Sequence, residues 1–121
     1  MSESLSKIPI DLAIEKINEY LRKIDDLLKK RYDEGGEELD ELRIRIENFI
    51  ATCLEDGEQR LKRYESLVYG TVAIAAISRQ ETEEEKQEQY ESRLKKMRNF
   101  LNAIREELEL KSKSGIPKRK R

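Results

Sequence analysis

The residues of this 121-residue chain with chemistry to offer are one cysteine, carboxylates at Glu-x-x-Glu spacing, two glycine sites and a basic C-terminal run. Histidine, the commonest general base and metal ligand, is absent. Di-iron helical bundles hold their metals with inward Glu and Glu-x-x-His pairs. Here the acids fall mostly away from the apolar stripes and read as a solvated face. Gly35-Gly36 and Gly57 match neither G-x-x-x-x-G-K-[ST] nor G-x-G-x-x-G, so they read as helix breaks and not as phosphate cradles. Cys53 would need a lowered thiol pKa to act as a nucleophile. Glu55 and Asp56 beside it push the other way, and its place on an apolar stripe reads as core. Tyr20, Tyr64, Tyr69 and Tyr90 read as core-edge anchors. No catalytic, cofactor-binding or metal-ligating residue emerges, and the chain is expected not to be an enzyme.

The last four residues, Lys118, Arg119, Lys120 and Arg121, are all basic. Subtracting their four charges from a net charge of −1 leaves an acidic body at −5. Nucleic acid could therefore be contacted only through the tail, weakly and with strong salt dependence. A solubilising tail or a linker remnant is the plainer reading. A single cysteine allows no intramolecular disulfide, which favours a reducing compartment. The start, "MSESLSKIPIDLA", lacks the pattern of a signal peptide, and no run of 18 apolar residues occurs. A cytoplasmic location without membrane insertion is expected.

Charged residues make up 42% of the chain and hydrophobic residues 36%. Disordered chains and helical bundles with charged outer faces both tolerate that balance, and periodicity selects the bundle. Pro9 is placed to start a helix, with Asp11 as cap or first-turn acid. Ile14, Ile17, Leu21, Ile24 and Leu28 then mark one helical face, broadened by Leu12, Tyr20 and Leu27. A second helix is expected from near Glu37, after the Gly35-Gly36 break, with Leu39, Leu42, Ile46, Phe49 and Cys53 on its stripe. Glu55–Gly57 end or bend it, and Asp56 is a candidate cap. A third segment carries Leu61, Tyr64, Leu67 and Val68. In the fourth, Ser78 or Thr82 caps a helix whose stripe is Tyr90, Leu94, Met97, Leu101, Ile104 and Leu108. "TEEE" (82–85) has capping-box spacing.

"YGTVAIAAI" (69–77) is apolar nearly all round, so as a helix it must be buried on every side. It reads as the central element or as one face of a subunit interface; a short buried strand is the alternative. Tyr69, Val72, Ile74 and Ile77 are the candidate interface residues. The fold class is all-α, an antiparallel bundle of about four helices whose apolar faces a second copy of the chain could complete. Residues 1–10 form a lead-in, 11–111 the helical domain and 112–121 a basic tail or linker remnant.

Leu42, Arg43, Arg45 and Ile46, then the turn Leu54, Glu55, Asp56 and Gly57, then Leu61 and Tyr64, resemble a helical module of prokaryotic proteins. Arg93–Leu110 is similar to its closing helix. Such modules stand before TIR-like or other nucleotide-binding effector domains in defence and stress signalling. The module's Trp is replaced here by Leu42, and its Phe-Gly-Glu-Asp turn reads Leu-Glu-Asp-Gly. An effector would begin near Lys111, ten residues before the end. The resemblance thus implies a stand-alone relative or an effector on a separate chain. It implies a regulatory or assembly role and transfers no catalytic residue.

Function is accordingly expected to be that of a non-catalytic helical interaction or oligomerisation module, needing no cofactor, whose partner is itself or another protein. The alternative is a nucleic-acid-associated accessory protein acting through Lys118–Arg121.

Overall fold

The computed structural model describes residues 6–69 and 82–114. They form four helices, α1 (Ile10–Leu28), α2 (Tyr32–Cys53), α3 (Gly57–Tyr69) and α4 (Glu83–Ser114). No sheet occurs among the described residues, which carry one isolated bridge, Ser6 to Leu54. The expected all-α four-helix architecture is the one observed.

Helix directions follow from cross-helix pairs. Arg105 donates to Asn18 at 2.7 Å and Arg98 lies 3.5 Å from Asp25, so α1 and α4 run antiparallel. Arg60 meets Glu107, and the Tyr64 and Phe100 rings meet edge to face at 5.3 Å, so α3 also opposes α4. Each of α1 and α3 packs on both α2 and α4, while α2 and α4 touch across the diagonal. Three-residue links at 29–31 and 54–56 make the first three helices antiparallel neighbours.

The core confirms most of the periodic stripes. On α4, Tyr90, Leu94, Met97, Leu101, Ile104 and Leu108 are all buried, as are Leu39, Leu42, Ile46 and Phe49 on α2. Thr82 starts α4 as the "TEEE" spacing predicts. The Glu85 N–H donates to its hydroxyl at 3.1 Å, and the Thr82 N–H donates to the Glu85 carboxylate at 3.0 Å. On α1 the buried face is rotated from the expected one and runs through Ala13, Ile17, Tyr20, Ile24 and Leu27. Leu12 is exposed, while Ile14, Leu21 and Leu28 are partly buried. The rotation turns the Tyr20 ring onto Phe49 of α2, edge to face at 5.7 Å. Cys53 is only partly buried at the end of α2, because Phe49, Ile50 and Leu54 occupy the seam there.

The Gly35-Gly36 pair does not break the chain. α2 begins three residues earlier, at Tyr32, and both glycines lie inside it. The turn falls at 29–31, where Lys30 N–H reaches back to the Leu27 carbonyl at 3.0 Å. Across the new helix start, Glu34 accepts from the Arg31 N–H at 3.3 Å, and the Tyr32 N–H donates to Gln87 of α4 at 2.8 Å. Gly35 is there for a close approach. The Tyr90 hydroxyl passes over it to donate to the Leu27 carbonyl at 2.7 Å, tying the ends of α1, α2 and α4. A Cβ at position 35 would overlap that hydroxyl, whereas one at Gly36 would meet nothing within 4 Å.

The second glycine site is closer to expectation. The chain does turn at 54–56, but the left-handed residue is Asp56, with φ 58°, and Gly57 opens α3. A Cβ at Gly57 would lie 2.8 Å from the Ile50 carbonyl oxygen, against rigid backbone. The lead-in braces this turn from outside. Lys7 N–H donates to the Cys53 carbonyl at 2.7 Å, and the buried Ser6 hydroxyl donates to the Ile8 carbonyl at 2.7 Å. The Lys7 bond occupies a carbonyl that the end of α2 leaves without an intrahelical partner.

Candidate functional site

Of the residues singled out in the sequence, Tyr69 is the last residue of α3. Val72, Ile74 and Ile77 lie outside the described residues, and so do Lys118, Arg119, Lys120 and Arg121. Cys53 sits beside Thr52, with its sulfur 3.6 Å from the Thr52 hydroxyl. Tyr20, Tyr64 and Tyr90 are buried, Tyr64 completely, so they belong to the core and not only to its edge. The residues of the resemblance take structural roles as well. Leu42 and Ile46 are core, Arg43 pairs with Glu47 at 3.5 Å, and Leu54–Gly57 is the α2–α3 turn.

Among the described residues, two of the clefts lie between helices. One, of ≈ 440 Å³, separates α1 from α2 and is lined mainly by charge. Lys30 bridges it to Glu38 at 2.6 Å. Their hydrogen bond raises the Lys30 pKa and lowers that of Glu38 from the ordinary values, a mutually satisfied surface pair. With cations and carboxylates interleaved along both walls, this cleft largely neutralises itself.

The other cleft, of ≈ 300 Å³, runs between α3 and α4 and is different in kind. Phe100 and Ile104 form its floor, and the Tyr64 ring packs edge-on against Phe100 from the core side. Leu67, a wall residue, is 51% exposed, and Ala103 is exposed opposite. One end is closed by Arg60, which donates to the Glu55 carbonyl and to Glu107, each at 3.1 Å. Arg63 and Lys96 stand on the rim, and among the described residues neither makes an ion pair or hydrogen bond. The groove therefore offers apolar area between two cations whose charge is not internally answered.

Sequence reading missed this groove and placed Leu67 on the packing stripe. A signal was present. Leu61, Tyr64 and Val68 already fill an i, i+3, i+7 seam, which leaves Leu67 in excess. That Arg63 faces Lys96 could be known only once α3 and α4 were antiparallel neighbours.

Other chemistry finds little support in the geometry. Among the described residues no three or more His, Cys, Asp or Glu side chains gather as a metal site. No helix there is long and apolar enough to cross a membrane. Compared with known proteins, the chain is matched by no family model, no curated protein and no solved structure.

Proposed function

We propose that this chain is a non-catalytic helical interaction module whose α3–α4 groove receives an amphipathic helix. The observation that carries the reading is Leu67, half exposed above a floor of Phe100 and Ile104 and beside the cations Arg63 and Lys96. Helix-in-groove recognition uses such a surface: apolar anchors enter the groove, and rim charges choose the partner and set its register. The resemblance to modules that precede effector domains in prokaryotic defence and stress signalling supports a regulatory or assembly role. The partner is then a second copy of the chain or a separate protein.

A photo-reactive amino acid placed at Leu67, in the cells that make the protein, tests this. The control carries it at Glu15, exposed on α1. A discrete protein adduct from position 67 and none from position 15 is expected. The same adducts from both positions, or none from either, would refute the groove as a partner site.

A further inference from the structure

α2 carries a surface that answers the groove. Ile44 is 53% exposed; among the described residues, only Leu67 and Leu110 of the other large apolar side chains also stand more than half exposed, and Leu110 lies near the end of α4. At about 100° per residue, the positions within two turns and about 60° of Ile44 are Glu37, Asp40, Glu41, Glu47, Asn48 and Ala51. Four of these are carboxylates, and none is a cation. Glu47 is partly engaged by Arg43 and Glu41 also borders the α1–α2 cleft, while Glu37 and Asp40 are exposed away from it. An isolated isoleucine framed by acids is what a leucine-bearing groove with a basic rim would select.

Resting on the reading of the groove as a partner site, we propose that its occupant is the outward face of α2 of a second copy of this chain. Ile44 of one copy seats beside Leu67 on the Phe100–Ile104 floor of the other. Asp40 and Glu41 lie against Arg63 and Lys96. The argument is charge complementarity joined to matched apolar anchors: each patch alone exposes one large aliphatic side chain, and together they cover both. The near-neutral chain as a whole, at −1, does not oppose self-association. Each copy carries both patches, and a two-fold pairing sets the groove of each copy against the stripe of the other. The contact closes as a dimer when two copies make it reciprocally, which doubles the buried area toward the roughly 1,200 Å² that stable interfaces need.

The test is solution mass by light scattering across a concentration series, with helicity recorded by circular dichroism. Wild-type protein is expected to associate, and to do so about tenfold more weakly when salt is raised from low to several hundred millimolar. Two charge-swapped variants follow: a groove variant, Arg63→Glu with Lys96→Glu, and a stripe variant, Asp40→Lys with Glu41→Lys. Each alone should be monomeric and fully helical. Mixed, they should form a one-to-one complex, a rescue that misfolded proteins cannot give. Monomeric wild type at every concentration, or a mixture that stays monomeric, overturns the proposal. So does association that is unchanged in both variants. The Leu67 adduct separates this failure from that of the broader reading. An adduct with a different protein leaves the interaction module standing and removes self-association; an adduct within one chain, or none, removes both.

Discussion

Gly35 and Gly36 are chemically identical neighbours inside one helix, and the structure requires that alanine act on them in opposite directions. In each case alanine removes the conformational penalty of a helical glycine, about 0.5–1 kcal/mol. At Gly36 nothing lies within 4 Å of the new methyl, so the whole gain is retained. Gly36→Ala should raise the melting temperature by about 2–4 °C. At Gly35 the methyl overlaps the Tyr90 hydroxyl and sits 3.1 Å from the Tyr90 Cζ and 3.2 Å from Leu27 Cδ2. Tyr90 is buried and fixed by its bond to the Leu27 carbonyl, so it cannot swing into solvent without cost. Overpacking of this kind costs about 1–3 kcal/mol, and the broken hydrogen bond about 1 kcal/mol more. Set against the propensity gain, Gly35→Ala should destabilise by about 1–3 kcal/mol. The mechanism is checked by adding Tyr90→Phe, which removes the overlapping oxygen. Urea unfolding of the four proteins of this cycle should show the cost of Gly35→Ala falling by about 1 kcal/mol or more in the phenylalanine background. If Gly35→Ala and Gly36→Ala shift stability in the same direction, or the cycle is additive, the Tyr90 joint is not what requires glycine at 35.

Three further outcomes follow from the same geometry. Burial, reinforced by Cys53 and Glu19, raises the Tyr20 pKa, and burial, reinforced by Glu38, Glu34 and Glu91, raises that of Tyr90. Unfolded phenols ionise near pH 10, so above about pH 10 the folded state holds more protons than the unfolded state. The stability from these two groups is complete below that pH and is lost as pH rises through their folded values. Urea midpoints should fall more steeply above pH 10 in wild type than in Tyr20→Phe or Tyr90→Phe; equal slopes would count against buried phenols as the cause. Ser6→Ala, which deletes the hydroxyl bonded to the Ile8 carbonyl, should cost about 1 kcal/mol, and Thr82→Ala a similar amount through loss of the α4 cap. Hydrogen exchange should locate the first loss at Ile8, whose N–H donates to the Ser6 hydroxyl, and the second at the first turn of α4. Finally, Leu67→Ser should change stability by no more than about 0.5 kcal/mol, whereas Leu101→Ala should cost about 2–5 kcal/mol. A large loss from Leu67→Ser in chemical denaturation would make it a packing residue and remove the basis of the proposed groove.

Periodicity alone identified the all-helical class, the α4 seam from Tyr90 to Leu108, the α2 seam and Thr82 as one of two candidate caps. These depend on spacings of three and four residues and on a hydroxyl three positions before a carboxylate, all of which act within one helix. The absence of histidine and of nucleotide-binding glycine patterns is likewise a property of the chain itself. What required the tertiary structure were the distances between helices. Gly35-Gly36 looks like a break because glycine destabilises helices, yet it lies within α2, because Tyr90, 55 positions away, needs the space a side chain would take. The α1 face is rotated toward Ala13 and Tyr20 because Phe49 of a second helix receives the tyrosine ring. Ser6 reads in the sequence as part of a lead-in, and only the fold brings the end of α2 within reach of it. Leu67 and Ile44 have the same aliphatic character as core residues, and only the packing of their neighbours leaves each half exposed. The helices are thus written in local spacing. Which apolar residues and which cations remain unsatisfied is decided by how the helices meet, and the proposed function rests on those remainders.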